Sequence, residues 1–113
     1  MSSRLPTHVM VGALIARVQQ EGGFAAVLAR GDRNSGTVLL LCIERGGPPR
    51  MLERGMDSRG KPALLPAGPQ DVGDSQAVTD YWQRRRARDP DLWVIELDTA
   101  QAERFAAETI LVN

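Results

Sequence analysis

The stretch Thr37–Glu44, TVLLLCIE, decides the fold expected for this chain. Its side chains are apolar at both alternating positions, which is typical of a strand that is covered on both faces of a sheet. A second apolar run, Phe24–Arg30, precedes it, and the polar segment Gly31–Gly36 (GDRNSG) separates the two. This arrangement predicts a β-hairpin in which residues 24–30 pair antiparallel with residues 37–44. Both faces of both strands should then be covered, by helices or by an oligomer contact.

Three further segments follow this predicted hairpin. The segment Arg50–Met56 is more polar and predicts a third strand at an edge of the sheet. The segment Leu92–Leu97 (LWVIEL) predicts the last clear strand. Between them, residues 57–73 are rich in proline and glycine, so we expect one long loop there.

The first helix is predicted over residues Thr7–Glu21. Apolar residues recur at the i, i+3, i+4 and i+7 spacing of a helix with one buried face, at Val11, Leu14, Ile15 and Val18. Gly12 inside the helix lowers helix propensity, which indicates a close packing contact at that position.

Two more helices are predicted in the second half of the chain. One runs over Ser75–Arg88, with Asp74 as its N-cap. A short third helix covers residues 100–108, capped by Asp98, and residues 109–112 form a short strand or a packed tail.

These elements follow one another in the order α-β-β-β-α-β-α. We therefore expect a single α+β domain over residues 1–113, in which a three-strand meander and a further strand form one mixed sheet with packed helices. The long Pro/Gly-rich loop over residues 57–73 belongs to the same domain.

The composition restricts the classes of partner. The chain has 14 basic and 14 acidic residues, so its net charge is zero, and this disfavours a nucleic-acid binder, which needs a positive face. A single cysteine excludes an internal disulfide and fits a reducing compartment, and the N-terminus lacks the pattern of a signal peptide. The apolar stretch Val9–Val18 is too short to span a bilayer. We expect a cytoplasmic protein without membrane contact.

The residues that carry chemistry are isolated in this sequence. Cys42 lies within an apolar run, where a thiol is inert. His8 is the only histidine, and one cysteine with one histidine cannot form a structural zinc site. The Gly31–Gly36 segment lacks the Lys-Ser/Thr end of a phosphate-binding loop and leads into a strand, so it is interpreted as a turn. The sequence therefore assigns no catalytic, cofactor-binding or metal-binding residue and predicts no cofactor.

The densest charge is the run Arg84–Arg88, RRRAR. Cations are favoured in the last turn of a helix, and Asp89 and Asp91 follow closely enough to form ion pairs with the run. The alternative is a patch for an anion, a nucleic acid or an acidic partner. Arg84 and Arg88 share a helix face and would form that patch.

The other two arginines of the run are expected to point elsewhere. Arg85 lies on the side of Tyr81 and Trp82, where its aliphatic stem would cover their rings. Arg86 is turned aside.

The run Arg88–Leu97 (RDPDLWVIEL) resembles a known family. Similar pieces are Arg4–Pro6 (RLP), Gly23–Val27 (GFAAV), and GD at 31–32 followed by SGTVL at 35–39. Together they resemble a bacterial family catalogued as domain of unknown function 1491. The resemblance covers nearly the whole chain and implies a small stand-alone bacterial protein, and it supplies no activity, cofactor or catalytic residue.

The segment Asp89–Asp91 must turn the chain from helix into strand. Asp91 is expected to accept a backbone N–H in this turn. Trp93 is expected to hold the start of the strand in the core.

Three function hypotheses stay open. The first is a non-enzymatic binding or protein-interaction domain, as a homo-oligomer or with a protein partner. The second is a nucleic-acid-binding accessory protein that uses the Arg84–Arg88 run. The third is a small enzyme, which requires carboxylates such as Asp32, Asp57 or Asp71 to converge in one pocket. Whether the chain is an enzyme stays undecided, with the balance against it.

Overall fold

The computed structural model describes residues 5–70 and 73–111. In this part of the chain, one five-stranded mixed sheet carries helices on both faces. The α+β class and the single mixed sheet are therefore confirmed. The elements are α1 (Thr7–Gln20), β1 (Phe24–Ala29), β2 (Val38–Ile43), β3 (Arg50–Met56), β4 (Pro62–Pro66), α2 (Ser75–Arg88), β5 (Trp93–Asp98), α3 (Ala102–Ala106) and a π-helical turn (Ala107–Leu111).

The strand order is β1-β5-β2-β3-β4, so the predicted pairing of residues 24–30 with 37–44 is wrong. β5 lies between the two strands, antiparallel to β1 and parallel to β2. The reason is burial, because β2 and β5 are the two strands that are covered almost throughout on both faces. They occupy neighbouring central positions, and the polar loop between β1 and β2 crosses the end of β5 instead of closing a hairpin.

A three-strand antiparallel meander is present, and it consists of β2, β3 and β4. β4 lies inside residues 57–73, where we expected a loop throughout. We had predicted β3 at an edge of the sheet, and this is wrong because β4 lies beyond it. The β3 residues Met51 and Leu52 are buried. The two edges of the sheet are β1 and β4.

The sheet separates two apolar clusters. The larger lies under α1, α3 and the π-helical turn, and includes Leu14, Val18, Leu40, Trp93, Ile95 and Phe105. The smaller lies under α2, and includes Leu39, Leu41, Met51, Val78 and Val94. Coverage of β2 on both faces is thus confirmed, whereas β1 differs from the prediction because most of its side chains are partly or fully exposed.

The first two helices agree with the sequence analysis. The Asp74 carboxylate accepts the backbone N–H groups of Gln76 and Ala77 at 2.9 and 3.3 Å, which confirms the predicted N-cap of α2. The predicted close packing at Gly12 is wrong, since a Cβ added there would have no neighbour within 4 Å. Among the described residues, every helix is too short or too polar to reach across a bilayer.

The end of the chain differs from the prediction. Asp98 belongs to β5, and α3 begins only at Ala102, after Gln101, which makes no side-chain cap. Residues 107–111 continue as a π-helical turn, so the described part of the predicted strand or tail is helical. Ile110 in this turn is buried against the larger cluster.

Candidate functional site

Four side chains of α2 form one stripe, because Tyr81, Arg84, Arg85 and Arg88 follow the i, i+3, i+4 and i+7 spacing of a helix face. Together with Asp89 they line a cleft of about 340 Å³. We call this feature the arginine cleft. The sequence predicted that Arg84 and Arg88 share a face, and it did not predict a cleft.

The floor of the arginine cleft is a fixed guanidinium. Arg85 Nη1 and Nη2 donate hydrogen bonds of 2.7 and 3.2 Å to the two carboxylate oxygens of Glu53 on β3. Arg85 Nη1 also donates to the Tyr81 hydroxyl at 3.3 Å. Hydrogen bonding of the Arg85 guanidinium to the Glu53 carboxylate is the main cause that raises the pKa of Arg85, which stays charged. The predicted placement of Arg85 beside Tyr81 is confirmed.

The ring of Tyr81 also lies against the backbone at Gly68. Gly68 has φ +67°, and a Cβ added there would lie 2.7 Å from the ring. Gln70 fastens the same segment by donating to the carbonyl oxygens of Met51 and Ala67, both at 2.9 Å. Tyr81 and Arg85 are therefore both held in fixed positions by neighbouring elements.

The rim of the arginine cleft is formed by two exposed cations. Arg84 and Arg88 have no ion pair with any residue in the ranges 5–70 and 73–111. The expected pairing of the run with Asp89 and Asp91 is wrong, because Asp89 Oδ1 instead accepts the backbone N–H of Asp91 at 3.1 Å. The role of Arg84 and Arg88 in binding stays a prediction.

Arg86 is turned away from the arginine cleft, as expected, and it has a structural role. Its Nε donates to the carbonyl oxygen of Leu92 at 3.1 Å, and its Nη2 donates to those of Arg30 and Pro90 at 2.9 and 3.2 Å. These three hydrogen bonds connect the end of α2 to the end of β1 and the start of β5.

The Gly31–Gly36 loop is a closed turn. Asp32 Oδ2 accepts the backbone N–H groups of Asn34 and Ser35 at 3.0 and 2.9 Å. These hydrogen bonds hold the pKa of Asp32 below its usual value. Because the N–H groups face Asp32, they are not directed at an external phosphate, which confirms the interpretation as a turn.

The Asp89–Trp93 segment packs directly on that loop. Trp93 Nε1 donates to the carbonyl oxygen of Asp32 at 2.7 Å. Gly31 and Gly36 both lie against the carbonyl oxygen of Asp91, so neither position has space for a Cβ. The predicted structural role of the turn is thus confirmed, but the predicted acceptor is wrong, because Asp89 Oδ1 accepts the backbone N–H of Asp91. The two glycines that flank the loop were the signal for this close approach, and the sequence analysis missed it.

Cys42 and His8, the two isolated side chains of the sequence analysis, lie on different elements. Cys42 is buried in β2, and burial raises the pKa of its thiol to about 12. His8 lies at the start of α1, where its Nδ1 is 3.0 Å from the carbonyl oxygen of Arg33. Within residues 5–70 and 73–111, no group of three or more His, Cys, Asp or Glu side chains could hold a metal ion.

The carboxylates considered for an enzyme also serve separate turns. Asp32 closes the loop after β1, and Asp57 Oδ1 accepts the N–H groups of Arg59 and Lys61 at 2.8 and 3.0 Å in the turn between β3 and β4. Asp71 lies outside the described residues. Asp32 and Asp57 therefore each accept backbone N–H groups of their own turn, and these two turns are different.

Comparison with known proteins gives the family. Residues 5–107 match the family described as Protein of unknown function (DUF1491). The chain belongs to the DUF1491 family. A comparison with curated proteins found no match.

Solved structures of DUF1491 proteins have the same fold. The crystal structure of a family protein from Caulobacter crescentus is 27% identical and has a TM-score of 0.77, over 90% of this chain and 94% of that chain. An NMR structure of a family protein from the same organism is 28% identical, with a TM-score of 0.74 over 92% and 94% of the two chains. A solution structure of a protein from A. tumefaciens is 28% identical, with a TM-score of 0.66 over 86% and 87%.

A second cavity of this DUF1491 protein lies where α1 begins. It has a volume of about 380 Å³ and is lined by residues from α1, the loop before β2, β3 and the π-helical turn. Arg54 Nη1 donates to the carbonyl oxygen of Ile110 at 3.1 Å, and Thr7 Oγ1 donates to that of Gly36 at 3.1 Å. The sequence analysis missed this cavity because its walls come from four distant segments.

The DUF1491 sheet has one apolar edge. β1 (FAAVLA) is the outermost strand, and Phe24, Val27 and Leu28 are exposed, with 60% of Phe24 accessible. The register to β5 shifts between Val27 and Ala29, which marks a bulge. The opposite edge, β4, begins with Pro62 and ends with Pro66. The two edges therefore differ in their ability to accept another strand.

Proposed function

We propose that this DUF1491 protein is a non-enzymatic interaction domain that pairs with a second copy of itself along β1. The observation that supports this proposal is an uncharged apolar strand at the edge of the sheet, with Phe24, Val27 and Leu28 exposed. The unpaired N–H and C=O groups of an edge strand can form a ladder with another chain.

The difference between the two edges supports β1 as the docking strand. Proteins protect edge strands with charges, prolines or bulges, because a bare edge pairs with other chains. β4 has a proline at each end, whereas β1 has neither a proline nor a charged residue. The bulge after Val27 limits a regular ladder to the first part of β1, over Phe24–Val27.

A second copy fits this edge by symmetry and by charge. A two-fold axis perpendicular to the sheet places two β1 strands antiparallel, so that each contributes the same surface. Glu21 precedes the strand and Arg30 follows it, and both are exposed. The antiparallel arrangement brings Arg30 of one copy to the end where Glu21 of the other copy lies. The Arg30 guanidinium is stacked 5.5 Å from the centre of the Trp93 ring, which restricts its movement.

Sedimentation equilibrium over a wide range of protein concentration tests the proposal. We expect a reversible dimer for the wild type and a monomer for Val27→Lys, because a ladder over Phe24–Val27 places residue 27 opposite Phe24 of the other copy, where a lysine would replace an apolar contact with a charge. Met56→Lys is the matched control, since Met56 is 66% exposed at the end of β3 and lies away from β1. It should dimerise like the wild type.

Two results would contradict the β1 dimer. A wild-type mass that stays monomeric at every concentration would overturn it. Equal loss of the dimer in Val27→Lys and Met56→Lys would also overturn it, because the effect would then not belong to β1.

We also propose that the protein acts in the bacterial cytosol. The support is its single, buried cysteine, which needs no oxidising compartment, and the bacterial source of the family protein from Caulobacter crescentus. Immunodetection after cell fractionation tests this location, and recovery in an extracellular or periplasmic fraction would contradict it.

A further inference from the structure

We propose that the arginine cleft binds a single phosphate group, carried either by a small metabolite or by a phosphorylated peptide. The cleft lies on α2, whereas the proposed dimer uses β1, so this inference does not depend on the proposed function. It rests on the placement of Arg84, Arg85 and Arg88 around one opening.

The donors of the cleft match the acceptors of a phosphate. Arg84 and Arg88 are four residues apart on one helix face, exposed, and without an ion pair among residues 5–70 and 73–111. The Tyr81 hydroxyl accepts a hydrogen bond from Arg85, so its own proton can be donated to a ligand. A phosphate monoester presents three strong acceptor oxygens and accepts charge-assisted hydrogen bonds from guanidinium groups.

The cleft is organised before binding. Glu53 fixes Arg85 by two hydrogen bonds and balances its charge, so the net attraction for an anion comes from Arg84 and Arg88. Asp89 opposes this attraction, although one of its oxygens is engaged by the N–H of Asp91. Two cations on the rim suit a compact dianion, and a volume of about 340 Å³ is ample for one phosphate group.

The same charges do not suit a nucleic acid. Such binding needs a row of cations that displaces counterions from several successive phosphates. Arg86, the remaining arginine of the run, donates to three backbone carbonyls and does not point into the cleft. Arg50 and Arg104 are engaged by Glu103 and Glu108. A single group is therefore favoured over an extended strand.

The competing explanation is purely structural. The C-terminal end of a helix carries partial negative charge. Arg84 and Arg88 lie in the last turns of α2, where cations stabilise the helix. If this were their whole role, neutralising both would lower stability and would leave phosphate binding unaffected, so the two explanations predict different results.

The experiment is an NMR titration of the amide signals with four probes. These are inorganic phosphate, a short phosphoserine peptide, its unphosphorylated form, and a single-stranded RNA. We expect phosphate to shift the signals of residues 81–89, and the variant Arg84→Gln with Arg88→Gln to bind about tenfold more weakly or worse. The matched control neutralises two exposed cations outside the cleft, Arg59→Gln with Lys61→Gln, and should bind as the wild type does.

The probes distinguish the two sources. Tight binding of the phosphoserine peptide, with none of its unphosphorylated form, supports a phosphorylated protein as the source. Binding of phosphate alone supports a metabolite. The proposal is overturned if phosphate leaves residues 81–89 unshifted, or if the two double variants weaken it equally. It is also overturned if RNA binds more tightly than phosphate and the control variant Arg59→Gln with Lys61→Gln weakens RNA binding.

Discussion

Trp93 Nε1 donates a hydrogen bond of 2.7 Å to the carbonyl oxygen of Asp32, across 61 positions of the chain. This bond fixes the loop after β1 over the first residue of β5. Asp32 N–H in turn donates to the carbonyl oxygen of Asp91 at 3.0 Å, and Trp93 N–H to that of Thr37 at 2.8 Å. The loop is thus attached at the point where β5 enters between β1 and β2.

The indole hydrogen bond is tested by Trp93→Phe. We expect a fall of about 1–3 kcal/mol in the free energy of unfolding, measured by urea denaturation, because the variant loses the hydrogen bond and part of the buried ring. Trp82→Phe, on a ring that is only partly buried against the smaller cluster, should cost less. Equal losses in the two variants would show that the bond to Asp32 contributes little.

The glycines of the loop provide a second prediction. In Gly36→Ala the new Cβ would collide with the carbonyl oxygen of Asp91 and approach Trp93 Cδ1 to 2.9 Å, so we expect a loss of about 1–3 kcal/mol. Gly12→Ala, in the exposed interior of α1 with no neighbour within 4 Å, should instead stabilise by about 1 kcal/mol. Thermal unfolding of both variants checks the opposite signs, and a neutral Gly36→Ala would contradict the close packing.

Local patterns in the sequence predicted most of the helices and strands, but not which strands lie next to each other in the sheet. The spacing around Leu14 and the N-cap Asp74 located α1 and α2, since helix periodicity and capping are local. The order of the strands was missed, because the insertion of β5 beside β2 depends on burial across the whole sheet. β4 was missed because Pro62 and Pro66 are signals of a loop, and both are tolerated at the ends of an edge strand.

For the arginine cleft too, the sequence predicted the local arrangement along the helix but not the contact with a distant element. Helical spacing placed Arg84 and Arg88 on one face and Arg85 beside Tyr81. The partner of Arg85 could not be predicted, because Glu53 is 32 positions earlier on a different element. The expected ion pairs with Asp89 and Asp91 are not formed, and Asp89 Oδ1 instead accepts the backbone N–H of Asp91 in the turn.

The stability of the protein should depend on pH through Asp32. The pKa of this carboxyl is lowered from 3.8 in the folded protein, mainly by hydrogen bonds from the N–H groups of Ser35 and Asn34. A depressed folded-state pKa means that the stabilisation is fully present above pH 3.8 and is lost as the pH falls through the lowered value. We therefore expect Asp32→Ala to be less stable than the wild type at neutral pH. The difference should shrink in acid, as measured by urea denaturation at a series of pH values, and a difference that stays constant into strong acid would contradict the assignment.

The pair Arg85–Glu53 should contribute a measurable coupling free energy. Both Arg85 nitrogens bind the carboxylate, and the two side chains are only 27% and 26% exposed, which reduces the screening by water. A double-mutant cycle with Arg85→Ala and Glu53→Gln should give a coupling of about 1 kcal/mol, near the upper end for pairs that solvent still reaches. The same cycle on Arg17 and Glu108, joined by one contact and exposed by 34% and 46%, is the control and should give a smaller value. Additive losses at Arg85 and Glu53 would mean that the pair only positions the arginine cleft, because the two hydrogen bonds would then merely replace bonds to water.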